Sequence, residues 1–168
     1  MLSSDLLVHQ LYRSEPVRAA VRERFGERVL RGGEIDRDAL AARAFATAED
    51  RAWLERLLWP LVGERIAAWR ERQERRQPPP RALAVEVPLL FEAGMEGDFD
   101  ATIAIVADER LRARRAAERG HRALDARAAR QLSQEEKAAR ATYVVLNDGS
   151  VAELERRLEE VLGAIAGP

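Results

Sequence analysis

Three short apolar runs, each followed by a turn or a helical stretch, constrain the fold of this chain more than any other feature. The runs are rich in β-branched side chains and cover residues 82–91, 101–107 and 142–146. Near-continuous apolar runs that alternate with helices are typical of a parallel sheet with both faces covered. The sequence therefore predicts an α/β fold, with helices at 109–119, 133–141 and 151–165.

Prolines 78–80 follow a fully polar helix end and form the clearest boundary in the chain. Before them the apolar period is helical, and after them short strands alternate with helices. Two parts are therefore predicted, an α/β core from residues 1–12 and 79–168 and a helical insert from residues 13–78. The N-terminal residues join the core because a short apolar start precedes the first predicted helix.

The insert is predicted to contain one long helical region. It begins at Thr47, which forms an N-cap pair with Asp50, and it ends near residue 76. Pro60 lies inside this region, so we expect two helices or one kinked helix. Shorter helices are predicted at 5–12, 16–25 and 36–45, with a turn at 32–33.

Composition excludes several classes of protein. The 168 residues carry 28 basic and 29 acidic side chains, a balance that argues against a general nucleic-acid binder. Cysteine is absent, which excludes a disulfide scaffold, a zinc–thiolate site and cysteine catalysis. No apolar run approaches the roughly 20 residues of a membrane span, and polar residues 3–5 interrupt any signal peptide. We expect a cytoplasmic protein with no membrane partner.

Glu86 lies inside the first apolar run and is a candidate functional residue. A carboxylate in a strand that is buried on both faces is costly unless a cation offsets its charge. Glu86 is therefore predicted either to face a magnesium ion, as in phosphoryl-transfer proteins, or to pair with a nearby arginine. Pro88 removes a ladder donor, so the chain should leave the sheet there. Open α/β sheets bind ligands at this carboxyl end of their strands.

An arginine row follows the second apolar run. Arg112, Arg115 and Arg119 are spaced to share one helix face. Such a row clamps phosphates and stabilises transferring charge when it lines a cleft. The alternative is a solvated face that is balanced by Glu109 and Glu118.

Polar residues also stand at the ends of two other predicted strands. Asp5 follows a short apolar start, where it could accept a proton from a substrate hydroxyl. The alternative for Asp5 is a helix N-cap. Residues 147–150 (Asn-Asp-Gly-Ser) follow the last strand, and alone they predict a turn that caps the final helix.

Together these segments resemble the dephospho-CoA kinase family, in order and over essentially the whole chain. The matching residues are Ser3–Asp5, Phe25–Gly26, Asp36–Arg37, Leu40, Phe45, Leu58–Val62, Pro88–Glu92, Arg115, Arg119, Gln131, Lys137, Ala141, Tyr143 and Asn147. Four positions depart from the family pattern: Ser3, Glu86 and Thr142 replace aspartates, and Trp59 replaces a histidine. The segment between Arg119 and Gln131 is shorter than usual in the family.

The resemblance implies a P-loop kinase fold with three parts: a nucleotide-binding core, a helical CoA-binding insert at 13–78, and a small lid within about 109–136. It implies transfer of a phosphoryl group from ATP to the 3′-hydroxyl of dephospho-CoA, which is the final step of coenzyme A biosynthesis. Mg²⁺ would arrive with ATP, with Glu86 in its outer shell. The implied protein is a monomer or a weak homo-oligomer.

The resemblance also assigns roles to single residues. Asp5 would orient or deprotonate the 3′-hydroxyl, and Arg115 and Arg119 would close over the ATP phosphates. Lys137 and Asn147 would bind the nucleotide, with the Asn147 loop bordering the adenine. The dephospho-CoA site would be lined by Pro88, Leu89, Leu90, Phe91 and Glu92.

The P-loop itself is missing from the 168 residues. No Gly-x4-Gly-Lys-Ser/Thr string occurs, and the only lysine, Lys137, is followed by Ala138. The family pattern places that loop ahead of Asp5, after a first strand. We expect a misassigned start codon, so that Met1 is an internal residue of a complete kinase.

The missing P-loop has two expected consequences and leaves two alternative interpretations of the chain. The chain as written is expected not to turn over ATP, and its sheet should have an unpaired gap with uncovered apolar faces. The alternative is a truncated, non-catalytic remnant that binds CoA or a nucleotide. A related nucleoside monophosphate kinase would share the arginine row, but the Pro88–Glu92 run and the long insert favour the larger substrate.

Overall fold

The computed structural model describes residues 1–118 and 131–167. Its contacts divide the chain into two compact units, Met1–Pro88 and Leu89–Pro168. The first unit contains β1 (Leu2–Ser3), α1 (Ser4–Leu11), α2 (Glu15–Phe25), β2 (Leu30–Arg31), β3 (Glu34–Ile35), α3 (Arg37–Ala44), α4 (Ala48–Glu74) and β4 (Val85–Glu86). The helices predicted after Asp5, Pro16 and Asp36 are thereby confirmed.

The first unit is held together by apolar side chains at helical spacing. Buried residues recur every four positions in α1, α2 and α4, so each helix presents one apolar face to a common core. The ring of Phe25 meets that of Trp53 edge to face, with centroids 5.4 Å apart. The core consists of Leu7, Leu11, Val17, Val21, Val29, Leu40, Ala44, Leu54, Leu58 and Val62. Helix α1 thus shares its core with the helices of the predicted insert, and the separate insert at 13–78 remains a prediction.

Helix α4 runs without interruption from Ala48 to Glu74. Of the two predicted alternatives at Pro60, two helices or one kinked helix, the first is therefore wrong. Proline removes one backbone donor, but Pro60 is exposed, so water can reach the carbonyl that loses its partner. Leu58 and Val62, on either side of it, are both buried in the core and hold the two halves in one helix.

A β-hairpin that the sequence analysis predicted only as a turn connects α2 to α3. Strands β2 and β3 pair antiparallel, with Arg31 opposite Glu34. The two turn residues, Gly32 and Gly33, have φ values of 60° and 81°. Positive φ at both central positions is what a two-residue hairpin turn of the right twist requires, and glycine adopts it without strain.

Asp36 caps α3 and gives a prediction for stability. Its side chain accepts from the backbone N–H groups of Asp38 and Ala39, both at 3.1 Å. Asp36→Ala removes both bonds and is expected to lower the free energy of unfolding by about 1 kcal/mol in urea titrations. Asp36→Asn keeps a good cap and should lose less than half of that. An equal loss in both variants would contradict the capping argument.

The second unit supplies the other parallel strand pair. It contains β5 (Ile103–Val106), α5 (Glu109–Glu118), α6 (Gln134–Arg140), β6 (Tyr143–Leu146) and α7 (Val151–Ala166). Ser133 and Ser150 open α6 and α7 with complete capping boxes. These elements confirm the predicted alternation of strands and helices. Among the described residues, no helix has both the length and the apolar character needed to cross a membrane.

The parallel strands form two separate pairs, β1 with β4 and β5 with β6. In the apolar run at 82–91, which was predicted to leave the sheet at Pro88, only Val85 and Glu86 pair with β1, because β1 offers just two partners. Ile105, Val144 and Leu146 of the second pair are 47–51% exposed. These apolar side chains are therefore partly open to solvent in the described residues.

Candidate functional site

Asp5 lies on the surface of the first unit, just beyond the carboxyl end of β1. The strand ends at Ser3, which is also the N-cap of α1, so Asp5 belongs to the first helical turn. The alternative reading of Asp5 as the helix N-cap is therefore wrong. Its carboxylate is exposed and remains a candidate proton acceptor.

Glu86 ends the neighbouring strand and is the register partner of Ser3. The prediction that it is buried on both faces of the sheet is wrong, because Glu86 is exposed. Exposure alternates along the strand, with Ala84 and Glu86 exposed and Val85 half-buried. The strand therefore has one solvated face, and the carboxylate needs no compensating cation.

The chemistry of Glu86 suits the outer shell of a nucleotide-bound cation. Mg²⁺ prefers oxygen ligands and retains several of its waters when a carboxylate lies nearby. In the described residues, no cluster of three or more His, Cys, Asp or Glu side chains could hold a metal ion directly. An exposed carboxylate at a strand end, beside Ser3, therefore fits contact through water.

The predicted acceptor segment forms a series of turns after Pro88. In the second unit, the N–H of Ala93 donates to the carbonyl of Leu89 at 3.0 Å, and that of Met95 donates to Leu90 at 3.1 Å. Phe91 is buried, whereas Leu89 is exposed. Gly94 has a φ of 66°, which allows the chain to close the turn. The segment thus forms a hydrogen-bonded turn on which Leu89 is exposed and Leu90 is partly exposed.

Glu92, which lies in this turn, forms an ion pair with Lys137 of α6. The ammonium Nζ lies 3.0 Å from Oε1 of Glu92. The backbone N–H of Leu132 donates to the same oxygen at 2.9 Å. Burial raises the pKa of Glu92, but hydrogen bonds from the backbone and from Lys137 outweigh it, so the pKa lies below its usual range. Lys137, which the resemblance assigns to the nucleotide, contacts the acceptor segment.

Arg115 and the Asn147 loop, both assigned to the nucleotide side, meet in the structure. The guanidinium of Arg115 donates to the carbonyls of Asn147 at 2.7 Å and of Gly149 at 3.0 Å. Arg112 on the same helix is exposed. Arg119 lies outside the described residues, as does the middle of the predicted lid. The shared clamp of the arginine row therefore remains a prediction.

Sequence reasoning missed three side chains that hold the carboxyl ends of β5 and β6. The side-chain amide of Gln134 pairs with both the N–H and the carbonyl of Ala107, at 2.9 and 3.0 Å. Asp148 accepts from the N–H of Asp108 at 2.9 Å. Arg157 donates to the carbonyl of Leu146 at 2.6 Å. The polar run at 147–150 was a sequence signal for Asp148 alone, and Gln134 and Arg157 had none.

A shallow cavity of about 300 Å³ lies elsewhere in the first unit, between α2 and the β2–β3 hairpin. Arg18 lines it and forms ion pairs with Glu15, at 2.7 Å, and with Glu34. None of the residues predicted to carry function lines this cavity. It is therefore not part of the candidate site.

Parallel strands with polar loops at their carboxyl ends are typical of the α/β proteins that bind nucleotides. The family model for dephospho-CoA kinase matches residues 1–153. The dephospho-CoA kinase of Protochlamydia amoebophila is 36% identical over 165 residues, which is 95% of this chain and 81% of that protein. The chain belongs to the dephospho-CoA kinase family.

Other relatives and solved structures agree with this assignment. The dephospho-CoA kinase of Deinococcus radiodurans is 39% identical over 137 residues, covering 80% of this chain and 65% of that protein. A crystal structure from Thermus thermophilus matches with a TM-score of 0.77 and 34% identity, covering 99% of this chain and 84% of the other. The dephospho-CoA kinase structure from Campylobacter jejuni matches with a TM-score of 0.67 and 25% identity, over 98% and 84% of the two chains.

Proposed function

We propose that the protein transfers the γ-phosphoryl group of ATP to the 3′-hydroxyl of dephospho-CoA, giving ADP and coenzyme A. The observation that carries this proposal is the exposed carboxylate of Asp5 just past the carboxyl end of β1, one strand away from Glu86. A hydroxyl acceptor needs a base at such a position, and family membership supplies the identity of the acceptor.

The proposed step balances as follows. Asp5 takes the proton of the 3′-hydroxyl, a bond forms between that oxygen and the γ-phosphorus, and the bond to the ADP oxygen breaks. Mg²⁺ supplies neutralisation of phosphate charge when it is bound with ATP. Glu86 fits the outer shell of that ion.

The second unit, taken by itself, carries the other residues that the family resemblance assigns to the substrates. Leu89 and Leu90 offer apolar side chains for dephospho-CoA, and buried Phe91 anchors their turn. The Asn147 loop borders the adenine, and Arg115 holds that loop through its carbonyls. Arg119 would contact the ATP phosphates. Positioning and charge stabilisation supply almost all of the catalysis in phosphoryl transfer, so each of these contacts bears on the rate.

We further propose that residues 1–168 by themselves bind dephospho-CoA but do not complete phosphoryl transfer. A P-loop cradles the phosphates with backbone N–H groups and supplies a lysine, and no such string occurs in these residues. The second candidate function, a non-catalytic CoA- or nucleotide-binding protein, shares this expectation. The two differ in whether activity returns when a P-loop is supplied.

An assay of ATP-dependent CoA formation by mass spectrometry tests both proposals. The 168-residue chain is compared with a complemented enzyme, in which a family strand–loop–helix segment carrying Gly-x4-Gly-Lys-Ser/Thr precedes residue 1. We expect CoA only from the complemented enzyme, and none when the added lysine is changed to alanine. CoA formation by the 168-residue chain would refute its proposed inactivity. A folded but inactive complemented enzyme would favour the binding protein.

A further inference from the structure

We propose that Lys137 is a positioning residue for dephospho-CoA, which acts by holding Glu92 and with it the acceptor turn at 89–94. This inference rests on the proposed function, because it gives a task to the segment assigned to that substrate. The resemblance assigns Lys137 to nucleotide binding, whereas this proposal assigns it to binding of the acceptor substrate, dephospho-CoA.

The geometry of the ion pair is the first argument. Oε1 of Glu92 receives both the ammonium of Lys137, at 3.0 Å, and the N–H of Leu132, at 2.9 Å. The side chains of Lys137 and Glu92 are only 21% and 15% exposed. A charged pair that is largely withdrawn from water and also hydrogen-bonded is far more rigid than a surface pair. The carboxylate therefore fixes the end of the turn against α6.

A second cation on the same helix face supports this role. Arg140 lies three residues after Lys137, which places both side chains on one side of α6. Its guanidinium carbon lies 5.1 Å from the ring centroid of buried Phe91. Arg140 also forms an ion pair with Glu96, just past the turn. The two cations of α6 thus form ion pairs with Glu92 before Gly94 and with Glu96 after it.

Electrostatics argue against a direct role for Lys137 at the ATP phosphates. A carboxylate 3.0 Å from the ammonium cancels most of the ammonium's field at longer range, because the pair acts as a dipole. A phosphate group would have to displace that carboxylate to gain a full positive charge. The same displacement would release the acceptor turn.

Calorimetric titration of the 168-residue chain with dephospho-CoA tests the proposal. Lys137→Met should weaken binding about tenfold, because it leaves the Glu92 carboxylate without its charged partner. Lys137→Arg restores a donor cation and should bind within about threefold of the unchanged chain, on the same scale of one charged contact. Arg156→Met removes an exposed ion pair of α7 with Glu160 and should have no effect.

The possible results distinguish a failure to bind dephospho-CoA from a failure of the positioning role of Lys137. If the unchanged chain binds no dephospho-CoA, the proposal that residues 1–168 bind this substrate fails, and this inference fails with it. If it binds and Lys137→Met binds equally well, only the positioning role is refuted. An arginine variant as weak as the methionine variant also refutes it. Thermal unfolding is recorded for each variant, and Lys137→Gln replaces Lys137→Met if the latter shows no cooperative transition.

Discussion

Replacing Asp5 with asparagine is expected to lower kcat of the complemented enzyme by about 10²–10⁴, the usual contribution of a general base. Asparagine has nearly the shape of aspartate but cannot accept the 3′-hydroxyl proton as a carboxylate does. The KM for dephospho-CoA should change little, because Asp5 acts on the reacting oxygen and is not part of the acceptor turn. Steady-state kinetics at saturating ATP measure both parameters.

A matched control exists in the same unit. Asp38 stands in the first turn of α3, an eight-residue helix like α1, and is exposed as Asp5 is. Asp38→Asn therefore makes the same change to a helix terminus, which affects stability by less than about 1 kcal/mol. We expect it to keep full kcat. If Asp5→Asn behaves like this control, Asp5 has no catalytic role.

Replacing Leu40 with alanine is expected to lower the free energy of unfolding of the first unit by about 2–5 kcal/mol. Leu40 is 1% exposed and is among the largest fully buried side chains. Its removal combines the loss of buried apolar surface with a cavity that the surrounding helices only partly fill. Urea unfolding followed by the fluorescence of the tryptophans in α4 reports the change.

The control for this change is the same substitution on the surface. Leu6 in α1 is 62% exposed, and Leu6→Ala should alter the free energy of unfolding by less than about 0.5 kcal/mol. A small effect for Leu40→Ala would mean that α3 is not packed on the core as described. Comparable losses in both variants would contradict the burial that distinguishes them.

Local signals explain why most elements were predictable from sequence. Asp36 and Thr47 are side-chain caps, and Gly26 ends α2 with a φ of 78°. Each of these residues satisfies or releases backbone groups within a few positions, so its effect can be inferred from its neighbours in the chain. The β-branched runs before Asp108 and Asn147 correctly predicted β5 and β6, because strand preference is also a property of neighbouring residues.

The predictions that differ from the structure concern features that depend on residues distant in the sequence. The run at 82–91 was expected to stay in the sheet as far as Pro88, but a strand extends only as far as its partner, and β1 offers two residues. The burial of Glu86 was misjudged because it depends on what covers the sheet. At Pro60 two helices or one kinked helix were expected, and packing of Leu58 and Val62 in the core explains why the helix is continuous.

In the candidate site, too, the sequence identified single residues but not their long-range contacts. Asp5 and Asn147 were inferred from their places after predicted strands, Arg115 from helical spacing and Lys137 from the family resemblance. None of these signals tells what each side chain contacts. That Arg115 binds the carbonyls of Asn147 and Gly149 depends on the fold bringing together residues more than thirty positions apart. The support from Gln134 left no sequence signal, because a single glutamine in a helix is ordinary.

The measurement that tests the central claim most directly is calorimetric titration of the 168-residue chain with dephospho-CoA and, separately, with AMP. Both ligands carry adenosine with a 5′-phosphate, so they differ in the pantetheine-bearing extension that the acceptor turn is proposed to bind. The account predicts saturable binding of dephospho-CoA and distinctly weaker binding of AMP. Equal or tighter binding of AMP, or no binding of dephospho-CoA, would contradict it.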